Sequence, residues 1–447
     1  MQEIKWDKIQ GAAVENLKAV IRFDTTNPPG NELAAARFIE AKLKESGIKT
    51  KIFEPAQNRA NLVARLPGED KAPPLMLEGH LDVVPAESDK WSLPPFSADE
   101  KNGALYGRGA VDMKNMVAMS LTAMLALKEL DVTPKRDVIF VATADEETGG
   151  RLGSQYLVEN HKELVQAEYM LGEVGGFSVY QKGGKTVYPV GVAEKGLLWV
   201  RLKASGEPGH GSIPHSNNAV LKLASALAKI AERGLPLHIT PVASDFVKEL
   251  AKAQPFPNSR ILPLLLVPYL SERILKLLPE ENRNQFNAML RNTVTPTVLA
   301  GGIKTNVIPS SASVELDMRI LPGFDKEDVL RELRGVIGNE LSVEELSYSP
   351  PPKASGVNSE LFGAIRKTIE RNDPGAVVAP YLIPGYTDAR WFSTIGVVCY
   401  GFVPLKLDPN DKTPFGKLFH GHDERIWIEG FKWGMKTFME TLLEFLA

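Results

Sequence analysis

Apolar positions recur at helical spacing over residues 14–23, 33–45 and 116–130, and short continuous apolar runs at 74–79, 138–142 and 169–171 lie between and beyond them. Helical periods alternating with strand-like runs predict a doubly wound α/β arrangement up to about residue 192. The pattern then changes. Residues 197–204 alternate as a strand does, 219–232 form an alanine- and leucine-rich helical stripe, and strand-like runs resume at 293–300 and 313–320. This stretch suits a small α+β unit set into the first one. The proline-rich run Ser347-Tyr348-Ser349-Pro350-Pro351-Pro352 favours extended backbone and marks a crossing back. A helix at 359–371 and a closing helix follow. Residues 1–193 and 346–447 are therefore expected to form one domain, with 194–345 inserted in it.

One stretch exceeds what a compact insert needs. Residues 237–291 are helical in pattern and strongly apolar at 261–270 and 274–278. The plainer expectation is a helical layer packed on the inserted domain. The sharper one is an apolar wall for a fatty-acyl or aromatic group.

Composition narrows the classes without choosing one. With 447 residues and 43% apolar content, the chain can build more than one core. A net charge of −3 leaves no electrostatic footprint for nucleic acid or an anionic membrane. Cys399 is the single cysteine, so an intrachain disulfide and a multi-cysteine metal site are both excluded. The first residues, Met-Gln-Glu-Ile-Lys-Trp-Asp-Lys, carry acids and no long apolar core, so no secretory signal is expected and a cytoplasmic location is the default. The most apolar stretch, 261–270, is too short to span a bilayer and holds two prolines.

The chemistry-bearing residues fall where strand-like runs end, the place where α/β folds gather functional side chains. His80 closes one such run, and Asp82 lies two residues on. Asp112 sits in a turn flanked by Gly107 and Gly109; Glu146 and Glu147 follow a strand, and Glu173 ends another. His420 stands in His-Gly-His-Asp-Glu. Imidazoles and carboxylates in this order suit two metal ions about 3.5–4 Å apart, which need a shared ligand and further ligands on each side. Adjacent carboxylates on a strand point to opposite faces, so Glu146 and Glu147 are best divided into a ligand and a free base. An extended backbone would place Asp82 to accept the second N–H of a metal-bound His80. Taken singly, each residue could as easily be solvated; the joint pattern is what points to a metal-dependent hydrolase.

Three segments carry a family resemblance. Glu78-Gly79-His80-Leu81-Asp82-Val83-Val84-Pro85, Tyr106-Gly107-Arg108-Gly109-Ala110-Val111-Asp112-Met113-Lys114 and Asp145-Glu146-Glu147-Thr148-Gly149-Gly150 resemble the successive motifs of the zinc metallopeptidase family of aminoacylase, carboxypeptidase G, acetylornithine deacetylase and succinyl-diaminopimelate desuccinylase. The enlarged insert is similar to that of the branch containing carboxypeptidase S and the N-fatty-acyl-amino-acid hydrolases. The resemblance implies an α/β zinc-peptidase domain with a mixed sheet flanked by helices, plus an inserted α+β lid. It implies that Asp112 bridges two Zn2+ ions (Co2+ or Mn2+ as substitutes), with His80 and Glu173 completing one site and Glu147 and His420 the other. Glu146 would be the general base, Asp82 would orient His80, and a cis peptide would follow Asp112. His420 is preferred to His422 because the family pattern His-x-x-Asp/Asn-Glu runs here through His420, Asp423 and Glu424.

The insert adds a second polar set: His210 in Gly209-His210-Gly211-Ser212, Asn306 before Val307, and Arg319 in Asp317-Met318-Arg319. By the same resemblance His210 and Asn306 approach the scissile carbonyl, often from the partner subunit of a homodimer joined through the lid. Arg319 would bind the substrate's free carboxylate, a task suited to its planar fork. The alternatives are a solvated loop for His210, turn capping for Asn306 and a salt bridge on the sheet for Arg319. Gly385-Tyr386-Thr387-Asp388-Ala389-Arg390 resembles the family's substrate loop, where Gly-Thr-Ser-Asp is more usual, so Tyr386 is expected to reshape the pocket. The expected reaction is hydrolysis of an N-acyl amino acid, or of the C-terminal residue of a short peptide. A dipeptidase or aminopeptidase, and a non-catalytic binding protein of the same fold, are the alternatives.

Overall fold

The computed structural model describes residues 4–447; residues 1–3, where the expectation of no secretory signal begins, lie outside the described residues. Its centre is an eight-stranded sheet in the order Lys49–Ala56, Arg59–Leu66, Val138–Thr143, Leu75–His80, Tyr169–Gly172, Val398–Gly401, Val187–Glu194, Val377–Ile383. Leu75–His80 runs parallel to both Val138–Thr143 and Tyr169–Gly172, while Arg59–Leu66 is antiparallel to its neighbours. The sheet is mixed, and its three central parallel strands end on one side.

Side-chain alternation explains why these strands read as continuous apolar runs. Leu62, Ala64, Leu75, Leu77, Phe140 and Ala142 join a core shared with the helices Trp6–Ile21, Lys114–Glu129 and Ile428–Leu446. Their immediate neighbours Val63, Met76, Ile139, Val141 and Met170 join a separate core on the opposite face, with Leu157 and Phe392. A strand covered on both faces has no polar positions to alternate with. The expected helix at 14–23 is the second half of Trp6–Ile21. Among the described residues no helix is long and apolar enough to cross a membrane.

A second sheet has four antiparallel strands in the order Thr293–Gly301, Ser311–Ile320, Gly196–Ser205, Ser342–Ser349. Here only one face is covered. Leu198, Val200, Leu202, Val314, Leu316 and Met318 pack under the helices Ala219–Arg233 and Lys326–Ile337, while Arg201 on the open face pairs with Glu315 and Glu344. Lys195 alone separates Val187–Glu194 of the large sheet from Gly196–Ser205 of the small one.

Residues 237–291 correct an expectation. Rather than layering on the small sheet, their apolar face packs onto the large one. Ala243, Val247, Leu262, Leu265, Ile274, Leu275 and Phe286 belong to the main core, and Ala253 packs with Val187 and Ala379 at the sheet's edge. At its start His238 bonds Glu332 and packs on Phe324 of the smaller unit, and Asn292, the residue after the segment, bonds Glu332 as well. Within the apolar run at 261–270, Leu262 and Leu265 are buried in this core, while Ile261 and Tyr269 are exposed at 39% and 77%.

Candidate metal centre

The parallel strands deliver the chemistry at their ends. His80 is the last residue of Leu75–His80, Glu173 follows Tyr169–Gly172, and beyond Val138–Thr143 the backbone tightens into a 3-10 turn, Glu146–Thr148. The strand has ended there, so the two glutamates escape its alternation. Asp112 lies just ahead of Lys114–Glu129, with a cis peptide between Asp112 and Met113.

Two ligand groups meet at Asp112. Its Oδ1 is 3.2 Å from His80 Nε2, which is 3.9 Å from Glu173 Oε2. Its Oδ2 is 3.2 Å from His420 Nε2, which is also 3.2 Å from Glu147 Oε2. In each trio one ligand atom per residue lies within 4.8 Å of the others. The halves differ in exposure: the His80 side chain is 1% accessible and that of His420 56%. His422 turns away to Glu87. Glu146 belongs to neither trio.

Asp82 does more than expected, and does it differently. His80 Nδ1 lies 2.9 Å from the main-chain carbonyl of Asp82 and 3.6 Å from its carboxylate. That carboxylate accepts the main-chain N–H groups of Glu146 and Glu147 at 3.1 and 3.2 Å, and the Asn27 amide at 2.8 Å. One residue thus ties the histidine to the glutamate turn. Glu424, expected only as the end of the His420 pattern, proves to be a buckle. Fully buried, it pairs with Arg108 at 2.8 Å and accepts the N–H groups of Gly109, Val111 and Asp112. Asp388, quoted within the substrate loop but given no role, is buried and accepts from Thr143 and Ser154 beneath the site.

The charges strain against burial. Desolvation pushes the carboxyls of Glu146 and Glu173 well above their ordinary range, and Glu147 also moves up. Burial would raise Asp112 too, but hydrogen bonds from His420 and His80 win and hold it down. The bonds to Asp112 and Glu147 lift the His420 imidazole to about 10. Glu147 Oε1 is buried with no hydrogen-bond partner. Four crowded carboxylates with an orphaned oxygen fit bound cations better than protons alone.

The residues expected from the insert lie elsewhere. His210 pairs with Val307 in a two-stranded ribbon beside Asn306, whose carbonyl accepts the N–H of Gly211. His210 is exposed and its Nδ1 meets Ser212 within its own loop; no hydrogen bond joins it to the metal-centre residues among the described residues. The Arg319 fork is filled by Asp317, at 2.7 and 3.0 Å. That is the salt bridge on the sheet weighed as the alternative. Tyr386 lies between the units, its ring centre 5.4 Å from the guanidinium carbon of Arg319 and 3.9 Å from that of Arg390.

A mixed α/β sheet carrying this ligand set at its strand ends is that of a metal-dependent hydrolase of amide or peptide bonds. The chain belongs to the peptidase family M20/M25/M40, whose model matches residues 76–444. It is 29% identical over 377 residues to the human N-fatty-acyl-amino acid synthase/hydrolase PM20D1, covering 83% of this chain and 73% of that protein. It is 31% identical over 380 residues to a probable carboxypeptidase S-like 2 of Dictyostelium discoideum, covering 81% and 70%. Among solved structures it resembles the M20 family metallo-carboxypeptidase Sso-CP2 of Sulfolobus solfataricus, with TM-score 0.71, 20% identity and coverage of 97% and 99%. Human carnosine dipeptidase 1 matches with TM-score 0.65, 18% identity and coverage of 99% and 97%.

Proposed function

We propose that the chain is a two-zinc amidohydrolase that releases an amino acid from an N-acyl amino acid. The observation that carries this reading is Asp112, whose two carboxylate oxygens each face a separate trio, His80 with Glu173 and His420 with Glu147. The substrate class follows the relatives whose names include N-fatty-acyl-amino acid hydrolysis.

Two zinc ions held there would polarise an amide carbonyl and make water acidic enough to lose a proton near pH 7. The protein's own residues do the rest. Glu146 binds no metal in this reading, and its raised proton affinity suits a base that must also return the proton. It accepts the proton of the water that adds to the carbonyl carbon, then delivers it to the amide nitrogen as the C–N bond breaks. A carboxylic acid and an amino acid leave. Asp82 keeps the Glu146–Thr148 turn in register with His80. His210 and Asn306 are assigned to the oxyanion from the partner subunit of a homodimer, since neither contacts its own metal-centre residues. Tyr386 lines the substrate's path.

The deciding experiment is metal analysis of purified protein, with turnover of an N-acyl amino acid measured before and after chelation and compared with an amino-acid anilide. About two metals per chain, activity lost with chelation and restored by zinc, and preference for the N-acyl substrate are expected. Preference for the anilide would point to an aminopeptidase. Full activity after metal removal would sink the reading.

A further inference from the structure

The cation expected to hold the substrate's carboxylate, Arg319, already has a carboxylate. Asp317 occupies its fork with two hydrogen bonds. Asp317 takes the Nε/Nη2 edge, so a substrate acid would meet Arg319 only at its other edge and with its charge already offset. The loop that carries Tyr386 offers another cation. Arg390 is half-buried and makes no salt bridge among the described residues. One terminal nitrogen, Nη2, donates to the carbonyl of Gly149 at 2.5 Å; its Nε is buried with no partner at all. An orphaned N–H on a partly buried guanidinium is uncommon and calls for an acceptor.

Its surroundings hold the guanidinium beside the glutamate turn. The guanidinium carbon sits 3.9 Å from the centre of the Tyr386 ring and 5.1 Å from that of Trp391, so aromatic faces hold the cation in place. Gly149 closes the 3-10 turn that bears Glu146 and Glu147. Arg319 approaches the same Tyr386 ring from the small sheet. The nearby acid Glu194 makes no salt bridge to either arginine among the described residues; its oxygens accept from the Thr387 N–H and hydroxyl.

We propose that Arg390 anchors the free carboxylate of the substrate from the large-sheet side, with Tyr386 as the platform that holds its plane. This rests on the N-acyl amino acid reading. It makes Arg390 a specificity-determining residue, distinct from a residue that only steadies the glutamate turn.

The test compares each N-acyl amino acid with its own C-terminal carboxamide, which keeps size and removes the charge. The zinc-loaded wild type should prefer the acid. Arg390→Gln should raise KM and lower kcat/KM for the acid by about 10–100-fold, as expected for hydrogen bonds to a charged group, while the carboxamide falls by no more than about 3-fold. Arg390→Lys should recover part of the loss, because it keeps charge without the planar fork. Trp391→Phe keeps an aromatic face beside the guanidinium and removes only the Nε1–H bond to Gly149, at 3.2 Å, so it is the control for the turn. It should affect acid and amide alike. Equal losses on both substrates in Arg390→Gln, matching Trp391→Phe, would overturn the proposal, as would an unchanged preference for the acid in folded Arg390→Gln and Arg390→Lys. A wild type that cleaves no N-acyl amino acid sinks the functional reading itself, and this proposal with it.

Discussion

Glu424 shows how one buried carboxylate can decide where a candidate metal ligand stands. It accepts three successive-loop N–H groups, those of Gly109, Val111 and Asp112, and neutralises Arg108, whose side chain is 2% accessible. Glu424→Ala would leave that guanidinium buried without its partner, at a cost of about 3–5 kcal/mol. Chemical denaturation should show the loss, and metal occupancy should fall with it. A variant within about 1 kcal/mol of wild type would mean that the loop holds itself. Exposure sets a second expectation. Asp112→Ala should weaken both metals, whereas His420→Ala should empty one, because the His80 trio is sealed and the His420 side is open to water. Two tightly bound metals in Asp112→Ala would remove it as the bridge. Glu146→Gln should keep its metals and lose at least about 10²–10⁴-fold in turnover; near-normal turnover in a fully metallated sample would end its role as base. The two candidate trios were legible because strand ends and short motifs are local signals. For Arg319 a salt bridge on the sheet was only the alternative; its partner is Asp317, two residues away on the same face. Glu424 was not: its partners are more than 300 residues away, and no local spacing encodes that contact.

At the scale of elements, the single residue between the two sheets is the informative one. Lys195 is buried, its Nζ donating to the carbonyl of Arg291 at 2.6 Å where the long helical segment re-enters the small sheet. Burial first, and the charge of Arg319 second, lower its ammonium to about 7. A lysine whose folded value is depressed binds fewer protons folded than unfolded between about pH 7 and its ordinary value of 10.5. Stability therefore rises with pH across that window, by at most roughly 1.4 kcal/mol per unit, and the penalty is fully present below about pH 7. Lys195→Met removes this pH dependence along with the bond to Arg291, a loss that does not vary with pH. Relative to wild type, the variant should be most favoured near pH 6 and progressively less so towards pH 10, by thermal or denaturant unfolding. A difference that stays constant with pH would show that Lys195 titrates as an exposed lysine does. The long segment was harder to place than this hinge. Its periodicity shows which face of Pro241–Ala253 is apolar, with Ala243, Val247 and Ala251 buried. Periodicity does not say which of two sheets that face meets, and tertiary packing chose the larger one.

For the molecule as a whole, one outer strand stands out. Strand Thr293–Gly301 is an outer strand of the small sheet and is exposed from Thr295 onward, with Val298 53% and Leu299 68% accessible. Ile303, fully accessible, follows it, and Val307 leads into the ribbon that bears His210. From 293 to 303 the chain carries no charge. An uncharged, apolar outer strand is a ready template for another strand, and proteins usually blunt such edges with lysine or proline. Here only Pro296 interrupts it, at an irregularity in the pairing. The proposed homodimer would use this edge, with His210 and Asn306 of one chain acting at the centre of the other. The prediction is complementation. His210→Ala and Glu146→Gln should each be inactive alone, because every site in either homodimer lacks one half of the chemistry. Mixed and allowed to exchange subunits, they should form heterodimers with one site that has both His210 and Glu146 intact, and part of the wild-type activity should return. Val298→Lys, which places a charge on the outer strand, should shift the protein to monomer by light scattering and lower activity together with it. A monomer that is fully active would refute the shared site; His210 would then have to reach its own centre by closure of the small sheet over the large one.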